Sequence, residues 1–142
     1  GYWNRPEATA EVLKDGWLYT GDLGYQDEKG YLFLMDRKHG KIITGGLNVY
    51  PREVEEILAQ NEAIAEACVF GIPDPKWGET ITAAVTLRSD KTTSERELIE
   101  FCKSRLASYK SPKRIYILDS LPKNPYGKIL QRELKKRFSI PR

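Results

Sequence analysis

The chain has 142 residues and a mass of 16.3 kDa, which suits one ordinary domain with a piece of a second attached. With 40% hydrophobic and 30% charged residues, no apolar run that could cross a bilayer and no signal-peptide pattern, the composition predicts a soluble cytoplasmic protein without a membrane span. The net charge of +3 is unevenly distributed, since residues 110–142 hold 10 Lys and Arg against 2 Asp and Glu. This basic end is either a solvated face or a place for phosphate groups. Binding of nucleic acid is disfavoured because no nucleic-acid-binding motif accompanies the charge.

Short segments separated by turn residues make up the first 36 residues. Residues 17–19 and 31–35 have strand composition, and residues 27–30 between them form a turn sequence that we expect to join them. A two-stranded hairpin is marginal in water, so these segments have too little apolar surface for a core of their own. They predict a β-hairpin remnant of a larger domain, which would be mobile or would associate with another copy of the chain.

The next stretch contains a polar joint and a tight hairpin. Residues 36–41 separate two apolar segments, and Gly40 adds backbone freedom, so this stretch can act as a hinge. Residues 42–44 have strand composition, and Gly45-Gly46 can take the positive φ angles that a tight reversal requires.

A helix follows this hairpin. Pro51 suits the first helical position because its missing N–H would have no helical partner there. Val54, Ile57 and Leu58 recur at helical spacing, which predicts an amphipathic helix.

Three further strands are predicted at residues 66–72, 81–87 and 115–118. The loop between the first two carries Trp77. A tryptophan on a loop either covers the edge of a core or contacts a ligand, and composition alone leaves both interpretations open.

A second helix is predicted from a capping-box pattern. Ser94 and Glu97 have the required spacing, and Leu98 and Cys102 fall on one face of the helix that follows. Cys102 and Cys68 lie far apart in apolar segments without histidine partners, so we expect buried free thiols rather than a disulfide framework or a metal site.

The C-terminal segment predicts a loop and a short basic helix. Pro125 and Gly127 constrain a loop that ends at Lys128, and a lysine in such a loop is most often solvated. The last helix is indicated by Leu130, Leu134 and Phe138, which recur every four residues. Together the elements predict an α+β fold: a small mixed domain with a short central sheet flanked by helices over residues 38–142, preceded by the β-rich remnant over residues 1–37.

Four motifs in this order resemble the C-terminal part of the adenylate-forming enzymes, the family of acyl-CoA synthetases, peptide synthetase adenylation domains and luciferases. The resemblance covers nearly the whole chain, and it is specific because four motifs agree in order where any one alone would be weak. The motifs are GYWNRPEAT at 1–9, GWLYTGDLG at 16–24, the joint with its GGLN hairpin and PREVE helix within 36–58, and LPKNPYGKI at 121–129.

The resemblance implies ATP contacts at Asp22 and Arg37 and a hinge at His39. Asp22 corresponds to the family acid that accepts hydrogen bonds from both ribose hydroxyls, although an Asp after Gly is otherwise usually a turn former. Arg37 matches the family arginine that approaches the ribose, the alternative being a surface arginine. His39 stands where the family usually has Asp or Lys, so it is either part of the hinge or a solvated loop histidine.

The resemblance also implies that Lys128 is catalytic. In the family the Gly-Lys pair enters the active site, where the ammonium bridges the substrate carboxylate and the ATP phosphate. A compact cation suits this step because two anions are brought together.

A site for CoA is implied on the same unit. Gly45 and Gly46 would guide pantetheine, since a backbone without Cβ atoms allows the thiol to approach closely. Trp77 would pack near the CoA nucleotide, and Tyr109 and Lys113 would meet its adenine and phosphates. Ser111 stands where some relatives carry Arg.

The implied reaction converts a carboxylate and ATP to an acyl-adenylate and pyrophosphate, and then transfers the acyl group to CoA. ATP, CoA and Mg²⁺ are the implied cofactors, with Mg²⁺ held mainly by an N-terminal domain whose phosphate loop is absent from these 142 residues. We therefore expect the chain to be an inactive fragment that works with that domain and a carboxylic acid substrate. Alternatives are a peptide synthetase adenylation domain, which the lack of a carrier segment after Arg142 disfavours, and a non-catalytic nucleotide-binding module.

Overall fold

The computed structural model describes residues 1–37 and 40–139, with the backbone alone for residues 35–37. The chain divides into two compact units, Gly1–His39 and Gly40–Arg142. None of the helices in the described ranges is long and apolar enough to cross a membrane.

The first unit consists of a short helix and two small antiparallel sheets. Strand β1 pairs with β2, and β3 pairs with β4. The elements are α1 (Pro6–Val12), β1 (Leu13–Lys14), β2 (Trp17–Leu18), β3 (Asp22–Gln26) and β4 (Leu32–Arg37). No residue among 1–34 is buried, and Trp3 and Trp17 are 91% and 74% exposed.

The strand pairing expected in this unit is wrong. The turn at residues 27–30 joins β4 to β3, whereas residues 17–18 pair with residues 13–14. The reason is local: Asp15 and Gly16 both have positive φ, at 51° and 79°, and form a two-residue turn that closes β1 on β2.

The second unit is built on a five-stranded mixed sheet. Strand β8 pairs antiparallel with β7 along one edge; along the other edge it pairs parallel with β9 and antiparallel with β5, which in turn pairs with β6. The elements are β5 (Ile42–Thr44), β6 (Leu47–Val49), α2 (Pro51–Ala59), β7 (Ile64–Asp74), β8 (Gly78–Leu87), α3 (Glu95–Lys103), β9 (Arg114–Ile117) and α4 (Gln131–Phe138). The predicted α+β class is confirmed, as are the proline start of α2 and the capping box of α3.

Strand β7 ends at Asp74 and β8 begins at Gly78, so both extend closer to the connecting loop than the predicted strands at residues 66–72 and 81–87. Pro73 and Asp74, which the sequence assigns to the loop, belong to β7 and pair with Glu79 and Gly78. Proline is acceptable there because β7 lies at the edge of the described sheet, where a missing N–H removes no ladder bond.

Helices cover both faces of the sheet. Because successive residues of a strand point to opposite faces, Val69 packs in one apolar cluster with residues of α2 and α3, whereas Phe70 packs in the other with Leu134 of α4. Cys102 and Cys68 are divided between these two clusters, and both are free and buried, as expected. Burial raises the pKa of the Cys68 thiol to about 12 and that of Cys102 to about 11.

Candidate functional site

A two-residue turn at the tip of the β5–β6 hairpin is the first component of the site. Gly45 and Gly46 have φ angles of +56° and +80°, the backbone of the tight hairpin reversal predicted from the sequence. A Cβ atom on Gly45 would lie 3.1 Å from Cε3 of Trp77, whereas one on Gly46 would meet nothing within 4 Å. Gly45 therefore packs its backbone against the indole, and Gly46 forms the open tip.

The turn is bonded to the loop that carries Trp77. The Gly45 N–H donates a 2.8 Å hydrogen bond to the Trp77 carbonyl oxygen, and Thr44 pairs with Gly78 in the β5–β8 ladder. Trp77 is 48% exposed, and the edge of its indole at Cε3 and Cζ3 lies against Gly45. The turn and the tryptophan thus form one local structure.

Asp74 orders the Trp77 loop. Its carboxylate accepts hydrogen bonds of 2.8 Å from the backbone N–H groups of both Lys76 and Trp77, and one of 3.0 Å from the Thr80 hydroxyl. The bonds from Trp77 and Lys76 hold the pKa of Asp74 below its ordinary value. Asp74 is therefore charged at neutral pH and fixes the backbone from which the indole extends.

A pocket of about 260 Å³ lies beside these elements and collects four of the residues singled out in the sequence. Gly45, Trp77, Tyr109 and Lys113 all line it. The loop carrying Tyr109 and Lys113 reaches this position because the Lys113 N–H donates a 2.9 Å bond to the Ile81 carbonyl oxygen at the start of the parallel β8–β9 pairing. Two aromatic rings and an ammonium group at one pocket suit a stacked base and a phosphate.

Several residues of this pocket were missed in the sequence. Leu47 and Ile81 are apolar residues of the lining, and Thr80 and Ser108 also line it. Thr80 and Ile81 are consecutive residues of β8 and both line the pocket, so the period-two pattern of a strand gives no signal for them. Ser108 precedes Tyr109 directly, but its place in the pocket depends on the path of the loop.

Ser111, where some relatives carry Arg, does not face the pocket. It is 1% exposed, and within the described part of the chain its hydroxyl has no hydrogen-bond partner. The neighbouring Lys110 instead forms a 2.5 Å ion pair with Glu53 of α2, and this bond raises the pKa of Lys110. The loop is therefore anchored to α2 on one side of Ser111 and to β8 on the other.

Lys128 lies at the end of a separate loop. The Asn124 side-chain oxygen accepts hydrogen bonds from the backbone N–H groups of Tyr126 and Lys128, at 3.0 and 2.9 Å, and Gly127 has a φ of +80°. The Lys128 side chain is exposed, and it is not among the described residues that line the 260 Å³ pocket. The ordering role of Asn124 was not anticipated, although Asn is a frequent turn residue of this kind.

Asp22 and Arg37, the predicted ribose contacts, belong to the first unit. They are directly opposite each other in the β3–β4 ladder, so their backbones are cross-strand neighbours. Asp22 is exposed, and its N–H donates a 3.1 Å bond to the Thr20 hydroxyl. His39 lies outside the described residues, and its place in a hinge stays a prediction.

No group of three or more His, Cys, Asp or Glu residues in ranges 1–37 and 40–139 is placed to hold a metal ion.

Comparison with known proteins gives the family. Residues 53–128 match the family model described as the AMP-binding enzyme C-terminal domain. The chain belongs to this family. This confirms the resemblance drawn from the four motifs.

The similar proteins include CoA ligases of different acids. A long-chain-fatty-acid–CoA ligase of Bacillus subtilis (strain 168) is 54% identical over 134 residues, which are 94% of this chain and 24% of the ligase. The structure of o-succinylbenzoate CoA synthetase from Bacillus subtilis with its acyl-adenylate intermediate has a TM-score of 0.87 and 46% identity, covering 95% of this chain and 28% of that one. The chain spans about a quarter of the length of the relatives it matches.

One relative is similar in two states. ATP-bound MatB from Rhodopseudomonas palustris has a TM-score of 0.87 and 35% identity, and apo MatB has a TM-score of 0.75 and 36% identity. Each comparison covers 98% of this chain and 28% of MatB.

Removing the Asp74 carboxylate should loosen the Trp77 loop. In Asp74→Ala the amides of Lys76 and Trp77 lose their acceptor, so their hydrogen exchange should accelerate severalfold, while Asp74→Asn should retain part of the protection. In the wild type the protection should weaken as pH falls through the lowered pKa of Asp74, since the bonds depend on the ionised form. Unchanged exchange in Asp74→Ala would contradict this role.

Proposed function

We propose that this chain is the C-terminal part of an AMP-forming acid–CoA ligase whose second unit serves two half-reactions with different residues. The observation that carries the proposal is the pocket that joins Gly45, Trp77, Tyr109 and Lys113. Membership of the AMP-binding C-terminal family and similarity to ligases of two different acids support it. The class of substrate is therefore a carboxylic acid, with a long-chain fatty acid as the first candidate to test.

In the first half-reaction, Lys128 would stabilise the attack of a carboxylate on the α-phosphate of ATP. Its loop is ordered by Asn124 while its ammonium group remains exposed, so the cation can be delivered to another part of the enzyme. A lysine there would attract both anions as charge develops. Asp22 would accept bonds from the ribose hydroxyls, and Arg37 would approach the same ribose.

In the second half-reaction, the pocket would hold the nucleotide of CoA. Trp77 and Tyr109 offer ring faces for adenine, and Lys113 offers a charge for phosphate. Gly45 lies beside the indole and Gly46 forms the open tip after it, so a narrow pantetheine chain could pass along this backbone. Mg²⁺ would accompany the phosphates of ATP and be held mainly by the part of the enzyme that precedes this chain.

The exchange between the two half-reactions would occur at the joint near His39. The boundary between the two compact units falls between His39 and Gly40. The different TM-scores of ATP-bound and apo MatB against this chain, 0.87 and 0.75, support a change of this kind. We therefore propose that a few backbone torsions at this joint absorb a reorientation of the second unit.

Replacing the Lys128 ammonium should separate the half-reactions. In the full-length enzyme, Lys128→Ala should lower the rate of acyl-adenylate formation by roughly a hundredfold or more, because a charge aimed at the transition state is lost. Thioester formation from supplied acyl-adenylate should be retained. Lys136→Ala, an exposed lysine on α4, is the matched control. Equal losses in both half-reactions would contradict the assignment.

Substitutions at the pocket should have the opposite effect. Trp77→Ala should raise the KM for CoA, since a stacked base is worth roughly 1–3 kcal/mol, and should leave adenylation intact. Gly46→Leu should slow thioester formation because the positive φ of this position disfavours any residue with a Cβ atom and because the side chain would fill the open tip. Supplying a carrier-bound pantetheine as well as free CoA identifies the acceptor. A wild-type KM and thioester rate in both variants would exclude these residues from the site.

A proline at the joint should trap the enzyme in one state. His39→Pro holds φ near −65° and restricts Lys38. If the trapped state is the adenylating one, adenylation should retain most of its activity while thioester formation falls by about tenfold or more. His39→Ala serves as the control, because it removes the imidazole and leaves the backbone free. Wild-type rates for both half-reactions in His39→Pro would end the hinge proposal.

A further inference from the structure

Glu79 has no part in the roles described above, yet its carboxylate connects β5, the strand that leads into the glycine turn, to α4. One oxygen accepts a 2.9 Å hydrogen bond from the backbone N–H of Ile43 on β5. The other forms a 2.8 Å ion pair with Lys135 on α4. The side chain of Glu79 is 26% exposed, so these contacts are partly shielded from water.

The hydrogen bond to Ile43 lies on the side of β5 that faces away from the hairpin partner β6. Around the two-residue turn, Thr44 and Leu47 form the pair nearest the reversal, so the polar groups of Ile43 point away from β6. On that other side β5 has a single ladder pair with β8, between Thr44 and Gly78. The Glu79 carboxylate thus bonds the Ile43 N–H where a neighbouring strand would otherwise supply a carbonyl oxygen.

Gly71 on β7 provides the space for this arrangement. A Cβ atom at Gly71 would lie 2.8 Å from both Cδ and Oε1 of Glu79 and 2.9 Å from Cγ2 of Ile42. Gly71 is not among the glycines with positive φ, so its backbone conformation does not require glycine. Glycine is required at position 71 because the Glu79 carboxyl group occupies the space that a Cβ atom would need.

We propose that Glu79 is a positioning residue that holds the Gly45–Gly46 turn against Trp77 for thioester formation. Bonded to Ile43, it fixes the strand that leads directly into the turn, and Lys135 braces the carboxylate from α4. This inference rests on the proposed function of the pocket. Burial acts to raise the pKa of Glu79, but the bonds from Lys135 and Ile43 outweigh it and lower the pKa, which keeps the carboxylate ionised at neutral pH.

Three variants separate the contacts of this carboxylate. Glu79→Ala removes both. Glu79→Gln keeps an oxygen for the Ile43 N–H but loses the charge, and Lys135→Gln keeps the carboxylate on Ile43 but loses the brace. Glu100→Ala on α3 is the matched control, because it breaks an exposed ion pair with Lys103 away from the hairpin.

The first measurement is amide hydrogen exchange in this chain, and it does not depend on any enzymatic activity. Glu79→Ala should raise the exchange of the Ile43 amide by about tenfold, the effect of losing a bond to a charged acceptor, with a smaller rise in Glu79→Gln. The Leu98 amide, bonded to Ser94 within the α3 cap, should be unaffected and reports whether the variant is folded. Unchanged exchange at Ile43 would overturn the proposal.

The second measurement is the rate of each half-reaction in the full-length enzyme. At saturating CoA, Glu79→Ala should slow thioester formation by about tenfold with little change in adenylation, and Glu79→Gln should restore much of the rate. A parallel loss in both half-reactions would show a purely structural role and overturn the proposal, as would a wild-type thioester rate with faster Ile43 exchange. If the wild-type enzyme forms no acyl-CoA from any carboxylic acid, the proposed function fails, and the exchange data still decide whether Glu79 holds the hairpin.

Discussion

The pairing of strand β8 with its neighbours is the constraint on which the second unit depends. It pairs with β7 along its length, with β9 at residues 82–85 and with β5 at Gly78. Strands β5 and β9 are distant from it in sequence, and the backbone hydrogen bonds of β8 bring them together. Hence the glycine turn meets Trp77 at one end of β8, and the loop before β9 arrives next to it through the bond from Lys113 to Ile81. The pocket is a consequence of strand order.

The outer edge of the sheet is closed by side chains from both helical layers. The Val69 N–H donates a 2.8 Å bond to Glu55 of α2, and the Val69 carbonyl oxygen accepts a 2.5 Å bond from Gln131 of α4. Satisfying both groups removes the free edge at this point, where another chain could pair. It also ties helices on opposite faces to one residue of β7. A unit braced in this way keeps its internal geometry, as the proposed alternation between half-reactions requires.

The proposed division of labour has a simple chemical basis. Adenylation joins two anions and needs a cation at the reacting atoms, which a lysine on an exposed loop can deliver. Thioester formation needs a held nucleotide and a narrow path for a thiol, which ring faces and a glycine backbone supply. In the described structure Lys128 lies outside the pocket formed by Gly45, Trp77 and Tyr109. Under the proposed function, different parts of one small unit meet these two requirements. Glu79 connects the two parts, because it bonds the β5–β6 hairpin and also α4, the helix that follows the Lys128 loop.

Features that depend on a few neighbouring residues could be read from the sequence. The Gly45-Gly46 reversal and the capping box at Ser94 follow from backbone preferences and short-range hydrogen bonds, and the four motifs identified the family from residue identity alone. The strand pairing predicted for residues 17–18 is wrong because the Asp15-Gly16 turn pairs them with residues 13–14. The contact of Glu79 with Ile43 spans 36 residues. Trp77 and Tyr109 line the same pocket only when β8 and β9 are paired. Such contacts have no local signature, since the free energy that forms them comes from burial and strand order over the whole unit, and so the tertiary structure alone decided them.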